Sequence, residues 1–355
     1  MPLFLRAPEA LCLIRLSAIG DCVHAVAMVQ AIQRQWPQTK ITWIMGKAEA
    51  SLLHDLPGVE VIIFDKAAGL RAYTSIWQQL RHRRFDALLH MQSALRASLL
   101  SLGIKAGKTL GFDQQRAGDG QSLFTNHKVP SPQSPHVLDG FMAFAAELGV
   151  HDLTPQWHIP ITEADHAWAK QTVSGEKPTL LIAPSASKAY KNWTQEGYAA
   201  LADHAATQGF HVILCGGPAL QEKQFAEAIS ALCQHKPVNL VGQTTLKRLL
   251  ALIQQATVVL APDTGPAHMA TAVGTPVIGL YAHHNPERTG PYFCRAYIVS
   301  VYQTLIEAQT GKPMAQLAWR TRLKQADAMQ HIRIADVKQR FDEVAAKIKE
   351  SRSHE

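Results

Sequence analysis

The sequence predicts an α/β protein made of two Rossmann-like halves, and three observations carry that expectation. At 355 residues the chain exceeds one ordinary domain and suits two, each able to bury its own core. Short apolar, β-branched runs alternate with helical stretches through both halves, the pattern of parallel sheets covered on both faces. Finally, Ala261-Pro-Asp-Thr-Gly-Pro-Ala-His268 runs from the end of one apolar strand straight into a helix start. Unpaired backbone N–H groups and the helix dipole make such a junction a seat for an anion, although Asp263 or Thr264 also suits a plain helix cap.

Taken in order, Leu11–Leu16 reads as a strand, Ser17–Asp21 as a tight turn in which Gly20 lets the backbone bend sharply, and Cys22–Trp36 as a helix ended by Pro37. Strands follow at Ile41–Met45, Val59–Phe64 and Phe85–His90, with Lys108–Phe112 as a further candidate. Helices fall at Ala48–Leu56, Leu70–His82 and Ala94–Ser101. Asp113–Pro135 is rich in Gly, Gln, Ser and Pro, so it reads as a long loop able to close over a bound acceptor. After a helix at His136–Leu148 and a crossing at Pro155–Pro160 the alternation restarts. Strands are expected at Thr179–Ala183, His211–Cys215, Val238–Val241, Ala256–Ala261 and Pro276–Leu280. Helices are expected at Asn192–Thr207, Ala219–Cys233, Thr245–Gln254 and Pro266–Val273. Tyr302–Arg333 carries no assignable pattern, and Asp336–Glu350 reads as a closing helix. The expected division is 1–158, 159–335 and a terminal segment 336–355. Ligands of such sheets bind beyond the carboxyl ends of the strands, where the Ser17–Asp21 turn sits.

Composition narrows the class. No apolar run approaches the ~18 residues of a membrane span, and the N-terminus lacks the form of a signal peptide, so a cytoplasmic protein is expected. Five cysteines without CxxC or other metal spacing fit reduced thiols, and no metal site is expected. A formal charge of +7 points to an anionic partner: nucleic acid, anionic lipid or a phosphorylated metabolite. No nucleic-acid recognition motif is present and the aromatic residues are not interleaved with basic ones, so a nucleic-acid partner is not expected. A dinucleotide dehydrogenase is disfavoured because no G-x-G-x-x-G follows the first strand.

Three blocks together carry a family resemblance: Leu13-Ile-Arg-Leu-Ser-Ala-Ile-Gly-Asp-Cys-Val-His24, Ser185-Ala-Ser-Lys-Ala-Tyr-Lys-Asn-Trp193 and Pro262-Asp-Thr-Gly-Pro-Ala-His268. In that order they resemble the lipopolysaccharide heptosyltransferases of glycosyltransferase family 9. The resemblance implies a GT-B fold, two facing Rossmann-like domains with a cleft between them. It implies an ADP-heptose donor held by the C-terminal half and a Kdo-lipid A or growing core acceptor held by the N-terminal half. Inverting, metal-independent transfer without a cofactor, peripheral at the cytoplasmic face of the inner membrane, is implied as well. The chain departs from the family in His90-Met-Gln92, where Asp-Leu-Gln is common, and in Tyr281–Tyr292. A GT-B-fold nucleotide-sugar epimerase, or a family 9 transferase using another sugar donor, is the alternative.

The chemistry assigns roles within those blocks. Inverting transfer needs a base for the acceptor hydroxyl and positive charge for the departing diphosphate. Asp21 matches the family's catalytic aspartate; its structural alternative is a helix cap. Ser17 and Gly20, in the same turn, are placed at the acceptor. Lys191 matches the family's diphosphate-binding lysine and is preferred to Lys188, with Ser185 and Ser187 around it beyond a strand end. Thr264 and Gly265 offer backbone N–H groups to the diphosphate, and the Thr264 hydroxyl adds a donor. Asp263 repels a naked phosphate, so it serves sugar hydroxyls or fixes the loop. His268 faces the diphosphate or packs in the helix, and Glu222 takes the ribose hydroxyls or stands solvated in a first helical turn. Among Lys66, Arg71, Arg96, Lys105, Lys108, Arg116 and the Arg81–Arg84 cluster, most are ordinary surface charges. Arg116 is favoured for the acceptor because it lies in the long loop.

Overall fold

The computed structural model describes residues 2–173, 175 and 177–353. It divides into two compact units with the boundary between Pro160 and Ile161. The first runs β1 (Ala10–Ile14), α1 (Ile19–Gln35), β2 (Lys40–Gly46), α2 (Lys47–Leu53), β3 (Val59–Phe64), α3 (Leu70–Leu80), β4 (Phe85–His90), α4 (Leu95–Ser101), β5 (Ala106–Gly111), β6 (His127–Lys128) and α5 (Val137–Leu148). Its strands form one parallel sheet in the order β3-β2-β1-β4-β5-β6. β1 lies at the centre, so Leu11–Ile14 are covered on both faces and fully buried. Cys12, Ile14, Ile44, Ile62 and Leu88 meet α3 and α4 through Ala72, Ile76, Leu80, Ala97 and Leu100. α1, which lies against α5, covers the opposite face, as right-handed crossovers require.

The second unit runs α6 (Glu163–Thr172), β7 (Thr179–Ile182), α7 (Gln195–Thr207), β8 (His211–Leu214), α8 (Leu220–Leu232), β9 (Val238–Asn239) and α9 (Leu246–Gln255). It continues through β10 (Val258–Pro262), α10 (Gly265–Ala272), β11 (Val277–Tyr281), α11 (Pro286–Thr289), β12 (Val299–Ser300), α12 (Tyr302–Thr310) and α13 (Ile334–Ser353). This sheet too is parallel, in the order β12-β11-β10-β7-β8-β9. The fold class is therefore the expected α/β, with two parallel six-stranded sheets. Because every strand points one way, the carboxyl ends of each sheet share one edge. Strand order reverses between β1 and β4 in one sheet and between β7 and β10 in the other, and loops at such reversals diverge to leave a crevice.

Three local expectations are corrected. α1 begins at Ile19, not Cys22, with Ala18 as its extended N-cap, so Gly20 and Asp21 belong to the first helical turn. Gly20 is helical and takes no sharp bend. The Asp113–Pro135 segment is anchored rather than open: it contributes β6, paired to β5 at Leu110↔His127, and it buries Gln121. Its polar composition hid a buried hydrogen-bond network. α12 occupies part of the stretch that carried no pattern, with Tyr302 buried and its hydroxyl donating to the Thr321 carbonyl at 3.2 Å. Among the described residues no helix is long and apolar enough to cross a membrane.

Candidate functional site

In the first unit the reversal between β1 and β4 is built from the residues just beyond each strand. After β1 comes Arg15, whose guanidinium forms an ion pair with Asp21 and donates to the Met91 carbonyl at 2.7 Å beyond β4. The same guanidinium lies 5.3 Å over the Phe141 ring, which fixes its plane. Gln92 stitches the two strand ends together: its Oε1 accepts the Leu16 N–H at 2.6 Å and its Nε2 donates to Ser17 Oγ at 3.3 Å. Asp21 projects from the first turn of α1, where the helix dipole favours negative charge. Its Oδ2 takes Arg15 and a long 3.4 Å contact from the Ala18 N–H, while Oδ1 has no hydrogen-bond partner among the described residues and the side chain is about one-third exposed. The carboxylate is thus oriented through one oxygen with the other open.

A second acid stands beside this pair. Glu49, in the first turn of α2, is buried, and burial raises its carboxyl above the ordinary value, against the pull of Lys66 and Arg15 and with a push from Asp21. Gly46 permits the approach: a Cβ there would stand 2.5 Å from both the Leu16 carbonyl and Glu49 Oε2.

In the second unit the reversal lies between β7 and β10, and here too an acid is gripped by a base from another strand end. Lys191 Nζ donates to Asp263 Oδ2 at 2.9 Å, and His284 Nδ1, beyond β11, approaches the same oxygen at 2.5 Å. Burial acts against the Asp263 charge, yet the His284 hydrogen bond and the Lys191, His284 and His268 charges hold its carboxyl well below the usual range. Burial lowers His284 below the ordinary imidazole value against the pull of Asp263. The Lys191 loop is itself braced. Asn192 Oδ1 accepts the Ala186 N–H at 2.8 Å, and the His283 ring lies 2.9 Å from the Tyr190 carbonyl. Trp193, buried, donates to the Ile332 carbonyl at 3.0 Å, and only glycine fits at 197, where a Cβ would stand 2.6 Å from the indole.

Around that pair stand groups suited to an anion. Thr264 is the N-cap of α10, with Pro266 in its first turn, and its side chain makes no capping hydrogen bond. Ser185 Oγ and His284 Nε2 are buried without a hydrogen-bond partner among the described residues. Buried polar atoms ordinarily have one, so both sit where a ligand atom would complete them. Lys191 has three donors and uses one on Asp263, which leaves two for phosphate oxygens.

The model of glycosyltransferase family 9 (heptosyltransferase) matches residues 73–318. The chain is 49% identical over 337 residues to the lipopolysaccharide core heptosyltransferase OpsX of Haemophilus influenzae, covering 95% of this chain and 97% of that one. The chain belongs to glycosyltransferase family 9. Its fold is shared with the solved E. coli ADP-heptose LPS heptosyltransferase II, at a TM-score of 0.71, 19% identity, and coverage of 96% and 99% of the two chains. The E. coli heptosyltransferase WaaC, solved with ADP, superposes at 0.69 with 20% identity, covering 94% and 99%. Both likenesses are of GT-B fold, and this chain is a lipopolysaccharide heptosyltransferase of that fold.

Within this transferase the expected site residues fall into groups. Asp21 and Ser17 share the edge of the first sheet, and Gly20 is buried in α1 beside them. Ser185, Lys191, Asp263, Thr264, Gly265 and His268 share the edge of the second, with His268 buried one turn into α10. Ser187 and Lys188 are exposed. Glu222 reaches back from α8 to accept the Gly217 N–H at 2.7 Å, so it braces the loop after β8 and is not simply solvated. Arg116, favoured for the acceptor, turns into its own loop. It is buried, ion-paired with Asp113 at 3.1 Å and bonded to the Ser134 carbonyl at 2.9 Å, and it staples its own loop shut. Sequence reasoning missed Arg15, Glu49 and His284. Arg15 lay inside a quoted block, and His284 in the Tyr281–Tyr292 departure; neither had a visible partner in the sequence.

Proposed function

We propose that this transferase moves heptose from ADP-L-glycero-D-manno-heptose to a Kdo or heptose hydroxyl of the lipopolysaccharide inner core, with inversion and without a metal ion. The carrying observation is that each unit has one strand-order reversal and lines it with groups this chemistry needs. One presents an aspartate with a single open oxygen, and the other a lysine with spare donors beside a helix start. The heptosyltransferase relative and the ADP in the solved E. coli enzyme support the donor.

In this reading Asp21 Oδ1 accepts the proton of the acceptor hydroxyl as its oxygen forms a bond to C1 of the heptose, with Ser17 on the acceptor side. The bond from C1 to the β-phosphate oxygen breaks, and its electron pair leaves on ADP. Lys191, the backbone N–H groups at Thr264 and Gly265, and the hydroxyls of Thr264, Ser185 and Ser187 take up the developing charge. Asp263 aims Lys191 and receives sugar hydroxyls, His268 lies on the diphosphate side, and Glu222 Oε1 faces the ribose. The enzyme works at the cytoplasmic face of the inner membrane, where the acceptor is anchored.

The test is ADP release from ADP-heptose by purified protein, with and without Kdo-lipid A, and with Asp21→Ala as control. Release that needs both the acceptor and Asp21 is expected. Tight donor binding without release would reject Kdo-lipid A as acceptor, and no donor binding would reject the donor assignment.

A further inference from the structure

The outer surface of α4 gathers exposed leucines that elsewhere in the unit stand singly. Ala97 and Leu100 pack into the core beneath the helix. Yet Leu95, Leu99 and Leu102, spaced i, i+4, i+7 on the other side, are 54%, 39% and 64% exposed. Spacing of this kind places them in one stripe along the helix, so α4 is apolar on both faces and covered on only one. A contiguous exposed apolar stripe marks an interaction surface more often than scattered leucines do.

The charge of the chain says what kind. Between residues 65 and 112 there are eight Lys and Arg against two Asp and Glu, so this stretch holds six of the seven net positive charges of the molecule. Arg96 is exposed on α4 itself. Past the far end of the stripe, Lys105 Nζ donates to the Arg81 carbonyl at 3.0 Å, which brings those two exposed cations together. None of the three makes an ion pair among the described residues. The Trp77 indole donates to the Leu100 carbonyl at 2.9 Å, so α3 lies directly against α4. The stripe also starts at a meaningful place. Leu95 comes three residues after Gln92, which binds Leu16 and Ser17 beside Asp21.

We propose that the α3–α4 face docks on an anionic lipid bilayer, with Leu95, Leu99 and Leu102 entering the headgroup boundary and Arg81, Arg96 and Lys105 meeting lipid phosphates. An apolar stripe flanked by cations fits that surface, because apolar burial and attraction to anionic lipid act together. The inference deepens the proposed function and rests on it for its purpose: the face sets the Asp21 edge of the sheet against the membrane that holds the acceptor.

Co-sedimentation with phosphatidylethanolamine–phosphatidylglycerol vesicles, against phosphatidylcholine vesicles, tests it on the full chain. Wild type is expected to bind the anionic vesicles, less so in high salt, and to leave phosphatidylcholine largely unbound. The Leu95→Ser/Leu99→Ser/Leu102→Ser variant should bind roughly tenfold less or weaker still, with an unchanged melting temperature and unchanged transfer to a deacylated, soluble acceptor. Arg81→Glu/Lys105→Glu should lose binding to the anionic vesicles. Wild type remaining in the supernatant, or variants binding as wild type does, overturns the proposal. So does a wild-type dimer that the leucine variant dissociates while vesicle binding is unchanged, since the stripe would then belong to a second copy. Transfer without vesicle binding sinks this surface and leaves the proposed function standing. Vesicle binding that tracks the variants without any heptose transfer does the reverse.

Discussion

Replacing Lys191 by Met removes the cation from a carboxylate that is only 14% exposed, and the consequence separates stability from ligand binding. Breaking a buried ion pair from one side typically costs ~3–5 kcal/mol, because the surviving charge is left uncompensated. Here His284 stays on Asp263 at 2.5 Å, so the expected loss is about 2 kcal/mol. For a unit of this size that is roughly 4–8 °C in melting temperature. Adding Asp263→Asn removes the stranded charge and should return stability to within about 1 kcal/mol of wild type. ADP binding behaves differently. Loss of charge-assisted hydrogen bonds from Lys191 should weaken ADP by roughly 10- to 100-fold, and Asp263→Asn cannot restore it. Thermal unfolding and ADP titration calorimetry on wild type, single and double variants give both readouts. The acid limb adds a sign: because the Asp263 carboxyl is held below its ordinary 3.8, its contribution is present above that value and fades as pH falls beneath it. A Lys191→Met protein of unchanged stability, or a double variant that recovers ADP affinity, would refute the reasoning.

Asp21→Asn should lower kcat by ~100- to 10,000-fold with ADP affinity unchanged, and near-normal turnover in a steady-state assay would remove Asp21 from the chemistry. His90 is buried against Ser98 and Gln121, and burial lowers its pKa from 6.5 to about 4. The unfolded chain therefore binds the extra proton between those values, so stability should fall by about 1.4 kcal/mol per pH unit as pH drops from 6.5 towards 4. His90→Gln should flatten that slope in pH-dependent urea titrations, and an identical slope would show that His90 does not contribute it. Arg116→Ala leaves Asp113 buried without its cation, so it should cost about 3 kcal/mol and open the 113–135 segment to protease. Wild-type stability together with weakened acceptor binding would instead return Arg116 to the acceptor.

The strands of both sheet cores were legible because each is a short apolar run bounded by turn residues, a pattern that burial on both faces imposes locally. β6, β9 and β12 have two residues each, too few to show any period, and of these only β9 was read, within the Val238–Val241 run. α6 buries only Ala169, so it lacks the apolar stripe that would announce a helix. The Thr162 cap, with the Asp165 N–H donating to its hydroxyl at 3.1 Å, was the signal available there. Site residues at strand ends were visible through their motifs, since a loop that must present backbone N–H groups constrains its own residue types. What those residues touch was not visible: Lys191 meets Asp263 across 72 positions, and His284 meets it across 21. Such contacts arise from strand order, which no local pattern encodes. Arg116 was visible as a loop cation, but a loop cation gives no local sign that an aspartate three residues earlier will take it inward.

The two reversals use the same device and differ in how much of each carboxylate is held. Both place an aspartate at the start of the helix after a central strand, or one residue before its cap, and both grip it with a cation from a strand end. Asp263 is held by two bases on one oxygen and is largely buried, which keeps it ionised and makes it a fixed anchor for Lys191. Asp21 has Arg15 as its one side-chain partner among the described residues, with a long backbone contact from Ala18, keeps Oδ1 unbonded among them and is about twice as exposed. The proton acceptor proposed above needs that open oxygen, whereas an aspartate that only aims a lysine needs none. The sequence motifs leave the two aspartates equal, one at each helix start, and the structure divides them by the second side-chain partner that His284 gives Asp263 and that Asp21 lacks among the described residues.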